Sequence, residues 1–397
     1  MSGAVGRRTV LRAGVAGAAL LATSGWPGWW RSALAAPAEP GVGPFGPLAA
    51  QPDANGLFLP EGFTSRVVAV SGQTVTPSTY LWHGAPDGGA TFPTRGGGWV
   101  YVSNSEVGHP KGGVGAVRFD ARGRIVDAYR ILDGTGTNCA GGPTPWGRWL
   151  SCEEHSEGHV WECDPRQAGQ GIERPALGTF THEAAAVDPV GRAVYLTEDD
   201  PTGRLYRFVP AKYPDLSNGA LQAASVGSDG TVTWKEVSPD RAERGGDTTS
   251  FDGGEGAVHV RGVIAFTTKG DDRVWGLDVR RQRLSVLYDA QAIDEPPLTG
   301  VDNITAHLKS RDLYVAEDGG NLELCVISLR SAGRYEVATF ARVAGPASSE
   351  IAGPAFTAKG DRLYFSSQRG TTGNQPGDGI TFEVRGPFAG STRHAGG

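Results

Sequence analysis

The sequence predicts an all-β fold, a six-bladed β-propeller with a metal site in its central channel. Three observations lead there: a strand motif that occurs six times, its near-even spacing, and metal-donor side chains at matching places in several copies. The motif is a short strand opened by glycine or a charged turn and ending in polar residues. It reads "GGWVYVSNSE", "GRWLSCEEH", "RAVYLTEDD", "RGVIAFTTKGD", "SRDLYVAEDGG" and "GDRLYFSSQRG". Aligned on Tyr101, Trp149, Tyr195, Ala265, Tyr314 and Tyr364, the copies are 48, 46, 70, 49 and 50 residues apart. Repeats of ~40–50 residues with several strands each are the mark of propeller blades. The 60 glycines and 26 prolines agree with many tight turns, and no stretch sustains a 3.6-residue apolar period.

The chain opens with Arg7 and Arg8 ahead of an apolar, Ala-rich run from Val10 to Ala22, then Ala33-Leu34-Ala35. This is the pattern of a removable export signal over residues 1–35. The paired arginines and weak hydrophobicity indicate the twin-arginine export machinery as a partner and a secreted product, extracellular or periplasmic. The run is shorter than the ~20 residues a stable membrane span takes. A linker over 36–55 leads into the propeller, 56–388, and a flexible tail, 389–397, follows it. Within the propeller each motif strand is followed by a second alternating strand, "GAVRFD", "GHVWECD", "GRLYRFV", "DRVWGLDV", "LELCVISL" and "ITFEVRG". The one long interval fits an insertion at about 212–250, rich in Ser, Asp and Gly.

A formal net charge of −6 without any basic run excludes a nucleic-acid footprint. HExxH, GxSxG, a phosphate loop ending in Lys-Ser/Thr and paired CxxC motifs are all missing from the sequence. The chain is expected to act as a monomer on a small substrate.

In a propeller the innermost strand of each blade lines the channel. Ten to twelve residues before the aligned positions stand Cys139, Glu183, Glu255 and Asn303, with Thr91 and Gly353 in the first and last blades. Further carboxylates end the motif strands: Glu153 with Glu154, Glu198 with Asp199 and Asp200, Glu317 with Asp318. Carboxylates gathered around one channel repel each other unless cations share the space. Oxygen-rich groups suit calcium, and a thiolate beside them suits a transition metal such as iron. His182, next to Glu183, faces the other way along the strand and is read as a packed histidine. Disulfide pairing of Cys139 with Cys152 or Cys163 stays open.

The stretches "NCAGGPTPWGRWLSCEE", "HEAAAVDPV", "AVYLTED", "GEG", "DNI" and "LYVAEDGG" resemble the PhoX family of secreted, twin-arginine-exported alkaline phosphatases. The resemblance implies a propeller that holds ferric iron and several calcium ions and hydrolyses phosphate monoesters. It implies Cys139 as the iron-binding cysteine, with Glu183 and Glu255 as iron or calcium ligands. Glu153, Glu154, Glu198, Asp199, Asp302, Asn303, Glu317 and Asp318 become candidate calcium ligands. Asn104 and Glu106 match the asparagine and glutamate of the family's Asn-His-Glu stretch, the asparagine as a phosphate contact. Where the family commonly has an arginine two residues before the glutamate of "EG", this chain has Gly253. Arg95, Lys269 and Arg369 are the candidates to supply that charge. Two other readings are a metal-binding propeller of the same family without turnover, and a calcium-dependent propeller lactonase or esterase.

Overall fold

The computed structural model describes residues 36–169, 171–240, 247–329, 334–370 and 377–389. The expected export signal, and the tail from 390 on, lie outside them. Two short strands, β1 (Glu39–Pro40) and β2 (Leu57–Phe58), precede β3 (Thr64–Val70). The first blade is β4 (Pro86–Pro93), β5 (Trp99–Ser105), β6 (Gly112–Phe119) and β7 (Ile125–Thr135). The second is β8 (Asn138–Pro143), β9 (Trp149–Glu153), β10 (Val160–Cys163) and β11 (Gly171–Glu173). The third is β12 (His182–Asp188), β13 (Ala193–Glu198), β14 (Leu205–Lys212), β15 (Asp215–Val226) and β16 (Val232–Glu236). The fourth comprises β17 (Gly254–Val260), β18 (Val263–Thr268), β19 (Arg273–Asp278) and β20 (Arg283–Asp289). The fifth comprises β21 (Val301–Ala306), β22 (Leu313–Glu317), β23 (Glu323–Leu329) and β24 (Tyr335–Val343). The sixth has β25 (Ile351–Phe356), β26 (Arg362–Ser367) and β27 (Ile380–Arg385), completed by β3.

Each blade is an antiparallel meander running from the channel outward, so the protein is the six-bladed propeller that the repeats predict. The ring is closed by β3, which pairs antiparallel with β27 from Val70 opposite Ile380 to Thr64 opposite Arg385. β1 and β2 lie on the outer edge of the fifth blade, both against β24. The segment read as an insertion contributes two strands: β15 and β16 extend the third blade outward.

Alternation puts apolar side chains on both faces of every blade, and neighbouring blades bury them against each other. Val263, Ala265 and Val274 of the fourth blade share a core with Leu313, Val315 and Cys325 of the fifth. Leu150 and Cys152 of the second pack with Val194, Leu196 and Tyr206 of the third. The innermost strands approach each other so closely that side chains are excluded at some positions. A Cβ on Gly142 of β8 would lie 1.6 Å from the Ala185 carbonyl oxygen on β12. All four cysteines are buried and unpaired, which rules out the disulfide alternative.

Candidate metal centre

Every innermost strand breaks register with its neighbour at one place. The shifts fall between Pro86 and Gly89, Asn138 and Gly141, His182 and Ala185, Gly254 and Ala257, Val301 and Ile304, and Ala352 and Ala355. A bulge adds a residue without a ladder partner and re-aims its side chain. The residues so placed are Asp87, Cys139, Glu183, Glu255 and Asp302, with Ala352 beside the bulge in the sixth blade, and all are buried. A second tier follows from the ends of the next strands. Glu106, Glu154, Asp199, Lys269, Asp318 and Gln368 each donate a backbone N–H, at 2.8–3.1 Å, to a carbonyl just ahead of the neighbouring inner strand.

The two tiers converge. Asp87, Glu106 and Cys139 form one group, Cys139, Glu154 and Glu183 a second, and Glu183, Glu255 and Asp302 a third, with donor atoms within 4.8 Å of one another in each. Cys139 Sγ donates to Glu183 Oε1 at 3.2 Å, while Glu183 Oε2 is buried without a partner. Lys269 Nζ lies 2.7 Å from Glu255 Oε1 and 3.4 Å from Asp318 Oδ2. Arg369 reaches Glu350 at 3.0 Å and Asp318 at 3.9 Å. Gln368 donates to both Asp87 and Glu106.

Burial, then mutual repulsion, drives the carboxyls toward their neutral forms. Glu154 is pushed up to about 9 by burial and by the Glu106 and Asp199 charges. Burial raises Asp302 to about 7 although Lys269 pulls against it. Asp87, Glu183, Glu255 and Glu350 are held well above the usual carboxylate range for the same two reasons. Burial and the carboxylates of Asp87 and Glu183 likewise hold Cys139 as a thiol. For Lys269, burial works against the charge, but Glu255 and Asp302 outweigh it and raise the ammonium's pKa. So many acids around two cations, with one buried carboxylate oxygen unpartnered, is the donor set of a site that takes multivalent cations. One thiol among hard oxygens fits a transition metal beside calcium-like ions.

The residues anticipated from sequence divide sharply. Glu154, Asp199 and Asp318 belong to the second tier, but their predecessors do not face the channel. Glu153 accepts from the Gly136 and His159 N–H groups and from Trp161 Nε1. Glu198 accepts from Arg204 N and Tyr206 OH, and Glu317 from the Thr299 and Glu323 N–H groups. These three brace the strand ends. Asn303 braces the ring from the constriction below the acid groups: it donates to Asp302 Oδ1 at 2.9 Å and accepts from Gly353 N at 2.6 Å. Asn104 departs from its expected contact with phosphate. Its amide donates to the Cys139 and Ala140 carbonyls and accepts from Trp149 Nε1 and Ser151 Oγ, which engages every polar atom of a fully buried side chain. His182 stacks on Phe180 and bonds to the Gly178 carbonyl.

Sequence reasoning missed Asp87 and Glu350. Asp87 stands fourteen residues before Tyr101, outside the ten-to-twelve window, because the turn between β4 and β5 carries an extra 3-10 segment at Arg95–Gly97. That turn also puts Arg95 at the end of the hairpin remote from Asp87. A further cluster of Glu317, Glu323 and Cys325 lies inside the fifth blade.

Below the acidic tiers the channel narrows to about 30 Å³ between Gly88, Ala140, Ala184, Gly256, Asn303 and Gly353. It reopens at the far end as a mostly apolar cavity of about 330 Å³ bordered by Trp149, Val258, Ile304 and Phe356. That cavity lies at the end without the acid cluster.

The family model described as alkaline phosphatase PhoX matches residues 101–159 and 155–275. Among solved structures the fold is similar to Pseudomonas fluorescens PhoX in complex with vanadate, a transition state analogue. That likeness has 17% identity and a TM-score of 0.70 over 88% of this chain and 99% of that one. A gluconolactonase from Xanthomonas campestris aligns at 14% identity and a TM-score of 0.49, over 87% of this chain and 99% of that one. No curated protein matches the sequence.

Proposed function

From the match of the PhoX family model to residues 101–275 we propose that the chain is a member of that family, a secreted, metal-dependent phosphatase that hydrolyses phosphate monoesters at the acidic end of its channel. The observation that carries this reading is the pair of carboxylate tiers around Cys139, which ordinary surface chemistry does not require. Cys139 with Glu183 and Glu154 would hold ferric iron. Asp87 with Glu106, and Glu255 with Asp302, Asp199 and Asp318, would hold calcium. Bound there, the cations supply the positive charge that lets an anionic phosphoryl group enter and be attacked.

The chain's own residues do the rest. Lys269 and Arg369 stand at the channel mouth beside Asp318 and are the groups to orient a phosphate oxygen. Lys269 also adjoins the position where the family's arginine is replaced, since its backbone N–H bonds to the Gly253 carbonyl at 2.8 Å. Asn104 acts as a positioning residue, holding the Cys139 and Ala140 peptide groups so that the thiol faces the ring. Gln368 keeps Asp87 and Glu106 together. The constriction below is too narrow for a phosphate ester and confines substrate to the acidic side. Export through the twin-arginine machinery, read from Arg7 and Arg8, suits a site that is assembled only in a folded protein.

The test is hydrolysis of an aryl phosphate by protein from an exporting host, with metal analysis on the same sample. Chelator-sensitive turnover with bound iron and calcium is the expected result. Gly253 favours one other reading, a metal-binding member without turnover, and bound metals with no hydrolysis would select it.

A further inference from the structure

Away from the channel, opposite charge accumulates at the seam where the ring closes. Arg66 on β3, Arg122 in the turn between β6 and β7, Arg362 on β26 and Arg385 on β27 line a cavity of about 170 Å³. Its one acid is Glu383, which is fully buried and already occupied. Arg66 Nη2 bonds to its Oε2 at 2.7 Å, Tyr364 OH to the same oxygen, and Arg362 Nη1 to Oε1. Arg122 and Arg385 are exposed and make no ion pair among the described residues. The Nε of Arg66 is buried without an acceptor.

Four guanidiniums against one saturated carboxylate is an excess of charge that the protein does not offset locally, in a chain of net charge −6. Guanidinium forks match tetrahedral oxyanions in geometry as well as in charge, and a buried donor without an acceptor marks where one is missing. Gly123 fits this use of space: its φ is +79°, and a Cβ there would lie 2.8 Å from the Arg362 guanidinium. We propose that the seam pocket binds a tetrahedral oxyanion, either free phosphate or sulfate or the phosphate end of a larger ligand. Occupancy ties three separate parts of the chain together: the closing strand β3, the sixth blade, and the outer turn of the first blade. The site is distinct from the channel and does not depend on phosphatase activity.

The test compares wild type with the double variant R122Q/R385Q, which removes two exposed guanidiniums that make no ion pair and leaves Glu383 with its partners. Phosphate, sulfate and methylphosphonate are titrated by calorimetry and by thermal unfolding, with chloride at matched ionic strength as the control. Anion bound in the channel is common to both proteins, so their difference reports the seam. The expected result is a binding event in wild type that weakens at least tenfold in the variant, with the anion-dependent rise in unfolding temperature reduced and hydrolysis unchanged. Tighter binding of methylphosphonate than of the inorganic anions assigns the pocket to the end of a larger ligand, and the reverse order assigns it to free anion. Identical isotherms and identical unfolding shifts for the two proteins would overturn the proposal.

Discussion

Cys139→Ser exchanges the sulfur between Asp87, Glu106, Glu154 and Glu183 for a weaker hydroxyl donor in nearly the same volume. Iron content and hydrolysis are expected to fall by at least a hundredfold while circular dichroism stays that of the wild type. Retention of both would remove the thiol from the centre. Asn104→Ala makes a different prediction, because that side chain bonds only to protein. It leaves two carbonyls and the Trp149 N–H without partners, each costing about 1–3 kcal/mol. A urea melt should show destabilisation of about 3 kcal/mol or more, with KM little changed in the molecules that remain folded; a raised KM at unchanged stability would return Asn104 to the substrate. Much of this was legible in the sequence, though not the parity. Adjacent acids such as Glu153 and Glu154 look alike in a string of letters, yet successive side chains on a strand point opposite ways. One of each pair therefore braces a turn and the other reaches the channel.

At the level of single elements, the bulges and turns control what each blade presents. Gly253 occupies the place held by Ala85, Thr137 and Gly300 in other blades, and all four have positive φ. Its φ is +65°, and a Cβ there would lie 3.2 Å from Asp199 Oδ1. An arginine at 253 starts with about 1–2 kcal/mol of backbone strain, so Gly253→Arg is expected to lower stability without raising turnover. Lys269→Met, in contrast, should raise KM for an aryl phosphate about tenfold and leave the fold intact in the presence of metals; unchanged kinetics would free Lys269 of any substrate role. On β8, Gly142→Ala drives a methyl group into the backbone of β12 and should yield insoluble protein, which a soluble-fraction assay reads directly. The strand motif revealed the blades because it lies within each repeat. The pairing of β3 with β27 has no such local signature, since its two halves are about 310 residues apart in the sequence, and nothing in "TSRVVAV" names its partner.

For the molecule as a whole, crowded acids link stability to pH and to metal. The ring carboxyls have folded pKa values raised above the ~4 of an unfolded chain, to about 7 for Asp302 and about 9 for Glu154. Between those limits the folded protein retains protons that the unfolded chain has released, so metal-free stability falls as pH rises. In chelator the unfolding temperature should drop steadily from pH 5 to pH 9. Restored calcium and iron should flatten or invert the slope, because they bind the deprotonated ring. A flat profile in chelator would mean that burial and crowding do not make the folded ring hold its protons. The closing strand adds a constraint in time. Blades one to five can collapse as they leave the ribosome, but the sixth has an open edge until Ile380–Arg385 emerges to meet Thr64–Val70. The ring that gathers Asp87 with Gln368 is therefore completed only once β27 is available to pair, and metal loading has to follow it. A chain stopped before Ile380 is an unclosed arc with a bare strand edge, fit to aggregate rather than to bind cations.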